Sequence, residues 1–300
     1  MPIDVLAKKL RYEPFSIITA KFTKGGSTSA MRLKVQFRDC AVVQVKWRAA
    51  PKSLEAYNNS PRKELAAYAI QALFLEPKDY VVPVTVAACI PVEELAKTGA
   101  KATPQIAGTH CVLGTLAVWL TNVKVVDRML DRQRFEQSVK QGELDGYARH
   151  FANVNLFAYL ISHRDGRRGN FLISNQPQSS RVFAIDNGLA FSGLGNPRPF
   201  IPIWRRLKVD KFPRATIARL QKLTTEQLYR QLETVLEFAL ERDGRVRPAT
   251  HFSANLNPHQ GVRINAQMAQ AGLTHKEIAK IEHRLRKFLQ RLDRQDIQLF

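Results

Sequence analysis

Two short polar turns, each beside an apolar run, constrain this chain more than any other feature of its sequence. Asp165 and Asn170 stand five positions apart, directly before the run Phe171–Ile173. Asp186 follows a second apolar run at 182–185 and precedes a glycine by two positions. Short apolar runs bounded by Gly, Asn and Asp predict strands with the polar residues in the flanking turns. The sequence therefore predicts that three polar side chains converge at the ends of two strands.

An Asp, an Asn and a second Asp in this order suit magnesium-assisted phosphoryl transfer. One carboxylate orients the attacking hydroxyl, while the amide oxygen and the other carboxylate hold Mg²⁺ against the phosphates. The spacing is that of the protein-kinase catalytic loop H-R-D-x-x-x-x-N, followed by a D-x-G turn. Here it reads His163-Arg164-Asp165, then Asn170, then Asp186. The alternative is a surface turn held by Asx and Gly chemistry, but the two pieces in kinase order favour the functional interpretation.

On these residues the chain resembles the protein-kinase-like superfamily, and within it the atypical kinases. Three branches are similar: phosphoinositide 3/4-kinase-like enzymes, HipA-type bacterial kinases and secretory-pathway casein kinases. The segment Ile185–Phe191, IDNGLAF, is similar to the corresponding part of type II phosphatidylinositol 4-kinases. The resemblance implies an α+β, two-lobed protein-kinase-like fold. A small antiparallel-sheet N-lobe would comprise residues 1–121, and a mostly helical C-lobe residues 122–300.

The resemblance also assigns roles near the N-terminus. Lys46 closes an apolar strand, at the position of the V-A-I-K lysine, and would grip the α- and β-phosphates. Glu64, in the first turn of the next helix, would pair with that lysine. Gly25, Gly26 and Ser27 would cover ATP, because small residues let backbone N–H groups approach a phosphate. Lys34, on the preceding strand, is a competing candidate for the phosphate-binding lysine. The simpler alternatives are that Lys46 is an exposed strand-end lysine, that Glu64 complements the helix dipole and that the glycines form a plain hairpin turn.

For the reaction, the resemblance implies that Asp165 orients or deprotonates the acceptor hydroxyl. Asn170 and Asp186 would hold Mg²⁺, with Mn²⁺ as an alternative ion. Arg167 and Arg168 stand in place of the Lys-Pro region of ordinary Ser/Thr kinases, and one of them would stabilise charge on the moving phosphoryl group. ATP is the implied donor, and the acceptor is a hydroxyl of a protein or of a phosphoinositide lipid. Related folds also transfer AMP, so the leaving group is itself an inference.

The excess of basic residues indicates that the partners are anionic but does not identify which anionic partner the chain binds. Lys and Arg number 46 against 26 Asp and Glu, a formal net charge of +20. Such a chain attracts nucleotide phosphates, anionic lipid, nucleic acid or acidic proteins. A basic helix predicted at 274–292 would suit an anionic membrane surface, with nucleic acid as a weaker alternative and a solvated face as the simplest interpretation. The alternative to an enzyme is a pseudokinase or a basic binding protein with a kinase-like shell.

Three cysteines, Cys40, Cys89 and Cys111, lie in apolar surroundings without C-x-x-C spacing. This pattern predicts buried thiols, neither a zinc site nor a disulfide framework. No apolar leader is apparent at the N-terminus, and no 18-residue apolar run occurs in the chain. We therefore expect a cytoplasmic protein that is peripheral at a membrane surface if it acts on lipid.

Hydrophobic periodicity predicts the remaining elements. Alternation with period two at 31–37 and 41–47 predicts a hairpin. Ser60 followed by Pro61 predicts a helix start, and the helix would continue over 62–74. Apolar residues at helical spacing predict three further helical regions, at 144–162, 215–242 and 274–292.

Overall fold

The computed structural model describes residues 1–23, 30–100, 103–126, 131–142, 146–176, 180–191 and 206–300. The described chain forms two compact units built from interleaved segments. In chain order its elements are α1 (Ile3–Tyr12), β1 (Phe15–Phe22), β2 (Met31–Phe37), β3 (Val42–Ala49), α2 (Pro61–Gln71), β4 (Thr85–Pro91), α3 (Val92–Ala96), β5 (Cys111–Val118), β6 (Val123–Val125), α4 (Arg132–Lys140), α5 (Tyr147–Leu160), β7 (Phe171–Ser174), β8 (Val182–Ala184), β9 (Lys211–Phe212), α6 (Arg214–Gln221), α7 (Thr225–Leu232), β10 (Leu236–Leu240), β11 (Val246–Pro248), β12 (Val262–Ile264), β13 (Met268–Ala271), α8 (His275–Asp293) and β14 (Gln298–Leu299).

The first unit comprises residues 1–66, 83–119 and 233–274. Its larger sheet has the order β1-β2-β3-β5-β4, and its neighbouring strands are antiparallel. Burial along β2 alternates strictly, because successive side chains of a strand point to opposite faces. The predicted hairpin is confirmed as β2 and β3. One face of β2 therefore joins the core, and the other carries the polar residues Arg32, Lys34 and Gln36.

A second sheet in the first unit corrects the prediction of helix over 215–242. That region contains α6 and α7, but residues 236–240 form β10 in a sheet of order β11-β10-β13-β12. The apolar residues here satisfy a helical template locally. Their strand partners lie up to 35 positions away, as in the pair Leu236–Ala271, so tertiary pairing overrides the local pattern.

The second unit comprises residues 67–82, 120–232 and 275–300. It holds α4 to α8, a sheet of order β6-β7-β8 and the two-stranded pair β14-β9. The units do not follow the single division at residue 121 that the sequence predicts for the lobes. Residues 67–82 belong to the second unit, and residues 233–274 belong to the first because β10 to β13 pair with one another and β11 contacts β4.

Helix α8 confirms the predicted C-terminal helix. Its apolar stripe is buried through Ile278, Ile281, Leu285 and Phe288, as expected for an amphipathic helix on a core. Nε of Arg284 donates to the carbonyl oxygen of Leu160 at 2.7 Å, which ties α8 to the end of α5. Among the described residues, no helix has the length and apolar character needed to cross a membrane.

The cysteines correct the sequence prediction. Cys89 and Cys111 form a disulfide, and Cys40 is an exposed free thiol. The disulfide joins neighbouring antiparallel strands, β4 and β5, whose pairing brings the two Cα atoms to 5.3 Å. That distance lies within the range a disulfide needs. The prediction of buried thiols was wrong because sequence spacing does not reveal which strands are neighbours.

Candidate catalytic and nucleotide-binding residues

The hairpin β7-β8 brings the two polar turns of the sequence together. Phe171 lies opposite Ala184, so the residue before β7 meets the residue after β8. The N–H of Ile185 donates to the carbonyl oxygen of Asn170 at 2.9 Å and extends the ladder by one step. Asn170 and Asp186 therefore lie at the same end of one hairpin.

Asn170 also closes the loop that carries Asp165. Its Nδ2 donates to the carbonyl oxygen of Asp165 at 2.9 Å, and its N–H donates to the carbonyl oxygen of Arg167 at 3.0 Å. Asn170 is buried, so both bonds form away from water. The side chain has one other polar atom, Oδ1, and an amide oxygen is a ligand that Mg²⁺ accepts.

The carboxylate of Asp165 faces a cation. Nε of Arg167 lies 3.1 Å from Oδ1 of Asp165, whose side chain is 9% exposed while that of Arg167 is 67% exposed. The contact is an ion pair without hydrogen-bond alignment, and Oδ1 of Asp165 accepts no hydrogen bond within the described part of the chain. The buried carboxylate thus keeps lone pairs with which it can accept a hydroxyl proton.

The side chain of His163 supports the loop that carries Asp165. Its Nδ1 accepts the N–H of Asp165 at 3.3 Å, and its ring packs on Phe171 with centroids 5.4 Å apart. Burial lowers the pKa of His163 to about 4, against the opposing attraction of Asp165. The imidazole is neutral near pH 7, which suits a positioning role for the backbone of Asp165.

The turn after β8 stores backbone strain. Asp186 has a φ of +56°, in the left-handed region that non-glycine residues seldom adopt. Such residues persist where the surroundings hold them in place, often at functional sites. Here the N–H of Ala184 donates to Val81 and the N–H of Phe191 donates to Ile161, both at 2.8 Å, so both flanks of the turn are anchored.

The donor set at the hairpin end fits a magnesium ion. Asn170 and Asp186 offer an amide oxygen and a carboxylate, and Mg²⁺ typically takes one or two such ligands and completes its shell with phosphate and water. No group of three or more His, Cys, Asp or Glu suited to a metal occurs among the described residues. An ion held by Asn170 and Asp186 would take the rest of its coordination from phosphate and water.

In the first unit, Lys46 lies within β3 and does not close it, because the strand continues to Ala49. Glu64 lies in the first turn of α2 and forms an ion pair with Arg48, with Nη1 of Arg48 3.7 Å from Oε1 of Glu64. Arg48 also donates to the carbonyl oxygen of Asn58. Residues two apart on a strand share a face, so Lys46 and Arg48 project to the same side. Sequence reasoning missed Arg48, although its spacing from Lys46 was a usable signal.

A row of cations crosses three strands of this sheet. Lys21 on β1 lies opposite Arg32 on β2, and Arg32 lies opposite Lys46 on β3. Like charges directly opposite one another on a sheet are destabilising. An arrangement that accumulates them suits a polyanionic ligand. Sequence reasoning missed Lys21 and Arg32 because the register between strands was unknown.

Two groups of predicted residues remain. Gly25, Gly26 and Ser27 lie outside the described residues, in the connection between β1 and β2. Arg168 opens the short 3-10 turn that ends at Asn170. The structure thus brings Asp165, Arg167 and Asn170 into contact, with Asp186 at the same hairpin end.

Comparison with known proteins identifies the fold alone. No protein-family model matches the chain, and no curated protein sequence matches it. Among solved structures it is similar to one described as "The structure of hydra Fam20 with sugar", with a TM-score of 0.57 and 13% sequence identity over 97% of this chain and 88% of that chain. The likeness shows that the two chains share a mixed α/β fold.

Proposed function

We propose that this protein is an atypical kinase that moves the γ-phosphoryl group of ATP to a hydroxyl of a protein or a phosphoinositide lipid, in a Mg²⁺-dependent reaction. One observation carries the proposal. The hydrogen bonds from Asn170 to Asp165 and from Ile185 to Asn170 assemble an Asp, an Asn and a second Asp in kinase order on one loop and hairpin end. The kinase-like fold agrees with it.

The residues of the second unit would act on the acceptor hydroxyl and the metal ion. As the oxygen of the hydroxyl bonds to phosphorus and the bond to the ADP leaving group breaks, Asp165 takes up the hydroxyl proton. Arg167, already 3.1 Å from that carboxylate, would stabilise charge on the moving phosphoryl group, with Arg168 as the other candidate. Asn170 and Asp186 would hold Mg²⁺, which when bound neutralises charge developing on the phosphates; Mn²⁺ is the alternative ion.

The residues of the first unit would bind the nucleotide. Lys46 would grip the α- and β-phosphates, and Lys21, two strands away in the same row, adds positive charge to this face. Glu64, which also forms an ion pair with Arg48, would position Lys46. Gly25, Gly26 and Ser27 would cover the phosphates.

The second candidate is a basic binding protein with a kinase-like shell, that is, a pseudokinase. The net charge of +20 and the exposed basic residues of α8 favour it. Among them Lys276, Arg286 and Lys287 are exposed on the helix. Under the first proposal the same helix would approach an anionic membrane that carries a lipid acceptor, whereas nucleic acid is the weaker partner.

The cellular location is a further part of the proposal. The sequence predicts a cytoplasmic protein, peripheral at a membrane surface if the acceptor is a lipid. The Cys89–Cys111 disulfide instead supports an oxidising compartment, because disulfides persist there and are rare in the cytosol. Counting free thiols in protein taken rapidly from its native cells distinguishes the two, since the disulfide leaves only Cys40 reactive.

The test is a transfer assay with the full chain, Mg²⁺ and ATP labelled on the γ-phosphate. Parallel reactions contain no acceptor, phosphoinositide vesicles or a mixture of acidic and basic proteins, and Asp186→Ala is the matched inactive variant. We expect label in lipid or protein with the native chain and none with Asp186→Ala.

Two controls decide the interpretation. ATP labelled on the α-phosphate reports AMP transfer, and label appearing only from that nucleotide replaces phosphoryl transfer with adenylylation. Nucleotide binding without transfer from either label, equal in the native chain and in Asp186→Ala, would favour the pseudokinase.

A further inference from the structure

A cluster of three side chains lies beside the cationic row of the first unit. Nε of Arg32 donates to Oε1 of Gln44 at 2.9 Å, and Nη2 of Arg32 donates to the same oxygen. The guanidinium carbon of Arg32 lies 4.9 Å from the centroid of the Trp119 ring. The backbone N–H of Trp119 donates to the backbone carbonyl oxygen of Gln44 at 2.8 Å, which holds the backbone of Trp119 next to β3. None of these three residues is fully buried.

The cluster stands at a fixed distance from the proposed phosphate-binding lysine. Gln44 precedes Lys46 by two positions on β3, so the two side chains share a face and are about 6–7 Å apart along the strand. A nucleotide whose phosphates lie at Lys46 has a ribose between those phosphates and its base. The base then reaches the cluster if the nucleotide runs towards the end of β5, where Trp119 follows Val118.

The hydrogen-bonding groups left at this cluster are donors. Arg32 has no acceptor atom, so Gln44 must present its oxygen to it. Within the described residues, the two side chains make hydrogen bonds only through Oε1 of Gln44 and through Nε and Nη2 of Arg32. Nη1 of Arg32 and Nε2 of Gln44 therefore remain as donors beside an aromatic ring on which a base can stack.

Donor-only recognition distinguishes the two purines. Guanine presents two acceptors, N7 and O6, on one edge, whereas adenine presents the acceptor N7 beside the donor N6 amine. An arginine donates well to the guanine edge and meets a like donor on the adenine edge. Bidentate contacts of this kind discriminate between bases by about tenfold or more.

We propose that Arg32, Gln44 and Trp119 form a nucleobase platform that favours guanine, so that this chain takes GTP as well as or better than ATP. The inference rests on the proposed phosphotransferase function and names the nucleotide that its site selects. In the transfer step, GTP loses its γ-phosphoryl group to the acceptor oxygen, GDP leaves, and the hydroxyl proton passes to Asp165.

The experiment measures the dissociation constants of GTP, ATP and tripolyphosphate for the full chain with Mg²⁺ by calorimetry. We expect GTP to bind at least as tightly as ATP. In Gln44→Leu and Arg32→Met, GTP binding should weaken by about tenfold and ATP binding by less. Tripolyphosphate, which has no base, should bind equally to Gln44→Leu and to the native chain. Arg38→Met, which removes an exposed arginine from the turn between β2 and β3, is the matched control.

Stacking is tested separately. Trp119→Phe keeps an aromatic surface and should retain both nucleotides, whereas Trp119→Leu should weaken both and leave tripolyphosphate unchanged. Circular dichroism melts of each variant establish that it is folded.

The outcomes distinguish failure of the guanine platform from failure of the proposed phosphotransferase function. ATP bound ten times more tightly than GTP, or equal losses of both nucleotides in Gln44→Leu and Arg32→Met, would overturn the guanine platform and leave the phosphotransferase proposal standing. Failure of the folded native chain to bind any nucleotide or tripolyphosphate overturns the proposed function and this inference with it.

Discussion

Removal of the Cys89–Cys111 disulfide should lower the free energy of unfolding by about 3 kcal/mol at 25 °C. The two cysteines are 22 positions apart. In the chain-entropy model, a closed loop of this length removes about 11 cal/mol/K from the unfolded ensemble, which gives the stated value. Seven residue pairs join β4 to β5, so we expect the double variant Cys89→Ala/Cys111→Ala to keep its fold.

Urea denaturation followed by fluorescence measures the change. With a slope of about 2 kcal/mol/M, the midpoint of the double variant should fall by about 1.5 M. Cys40→Ala is the matched control, because this thiol is exposed and free, and its free energy of unfolding should stay within about 0.5 kcal/mol of that of the native chain. Alkylation without reductant should modify one cysteine in the native protein and three after reduction and unfolding.

Two results would refute this reasoning. Three alkylatable thiols in the air-oxidised native protein would mean that the strands do not hold the cysteines together. An unchanged midpoint in the double variant, with one thiol confirmed in the native chain, would mean that the disulfide does not constrain the unfolded state.

Three further predictions concern the second unit. The buried side-chain oxygen of Gln71 accepts hydrogen bonds from the N–H groups of Val81 and Val82 at 2.9 Å each. Gln71→Leu leaves these N–H groups unsatisfied and should lower the free energy of unfolding, measured by urea denaturation, by about 2–4 kcal/mol. A loss under about 0.5 kcal/mol would contradict this prediction. Burial lowers the pKa of His150 to about 3. Because the unfolded state therefore binds the proton first, the free energy of unfolding should fall as the pH drops from about 6.5 towards 3. Urea denaturation at pH 7 and pH 4.5 measures this fall, and an equally steep fall in His150→Gln would exclude His150 as its source. Arg167→Ala should reduce turnover by about tenfold or more in the transfer assay, and unchanged turnover in this variant and in Arg168→Ala would remove the proposed role.

The local elements were predictable because their patterns are complete within short windows. The alternation of apolar and polar residues at 31–37 indicates a strand with one buried face, and the structure has β2 over the same residues. The apolar stripe of 274–292 reports one buried face of a helix, and α8 follows it closely. The pair Ser60 and Pro61 marked the start of α2 because proline lacks the N–H that a first turn cannot satisfy.

Strand partners were not predictable in the same way. Residues 236–240 satisfied a helical pattern, and only their pairing with β11 and β13 makes them a strand. The same limit hid the disulfide, since the sequence does not show that β4 and β5 are neighbours. Register was equally hidden, so the opposition of Lys21, Arg32 and Lys46 and the contact of Arg32 with Trp119 are findings of the structure.

The sequence by itself determined the chemistry that this chain can offer: a carboxylate, an amide and a second carboxylate at kinase-like spacing, with a large positive charge. Spacing along a loop and a hairpin is a local property, so residues close together in the sequence determine it. Only the tertiary structure decided which cations share a face, which cysteines meet and which side chains lie beside Lys46. Those contacts join residues distant in the chain, and they depend on the strand order and register that packing selects.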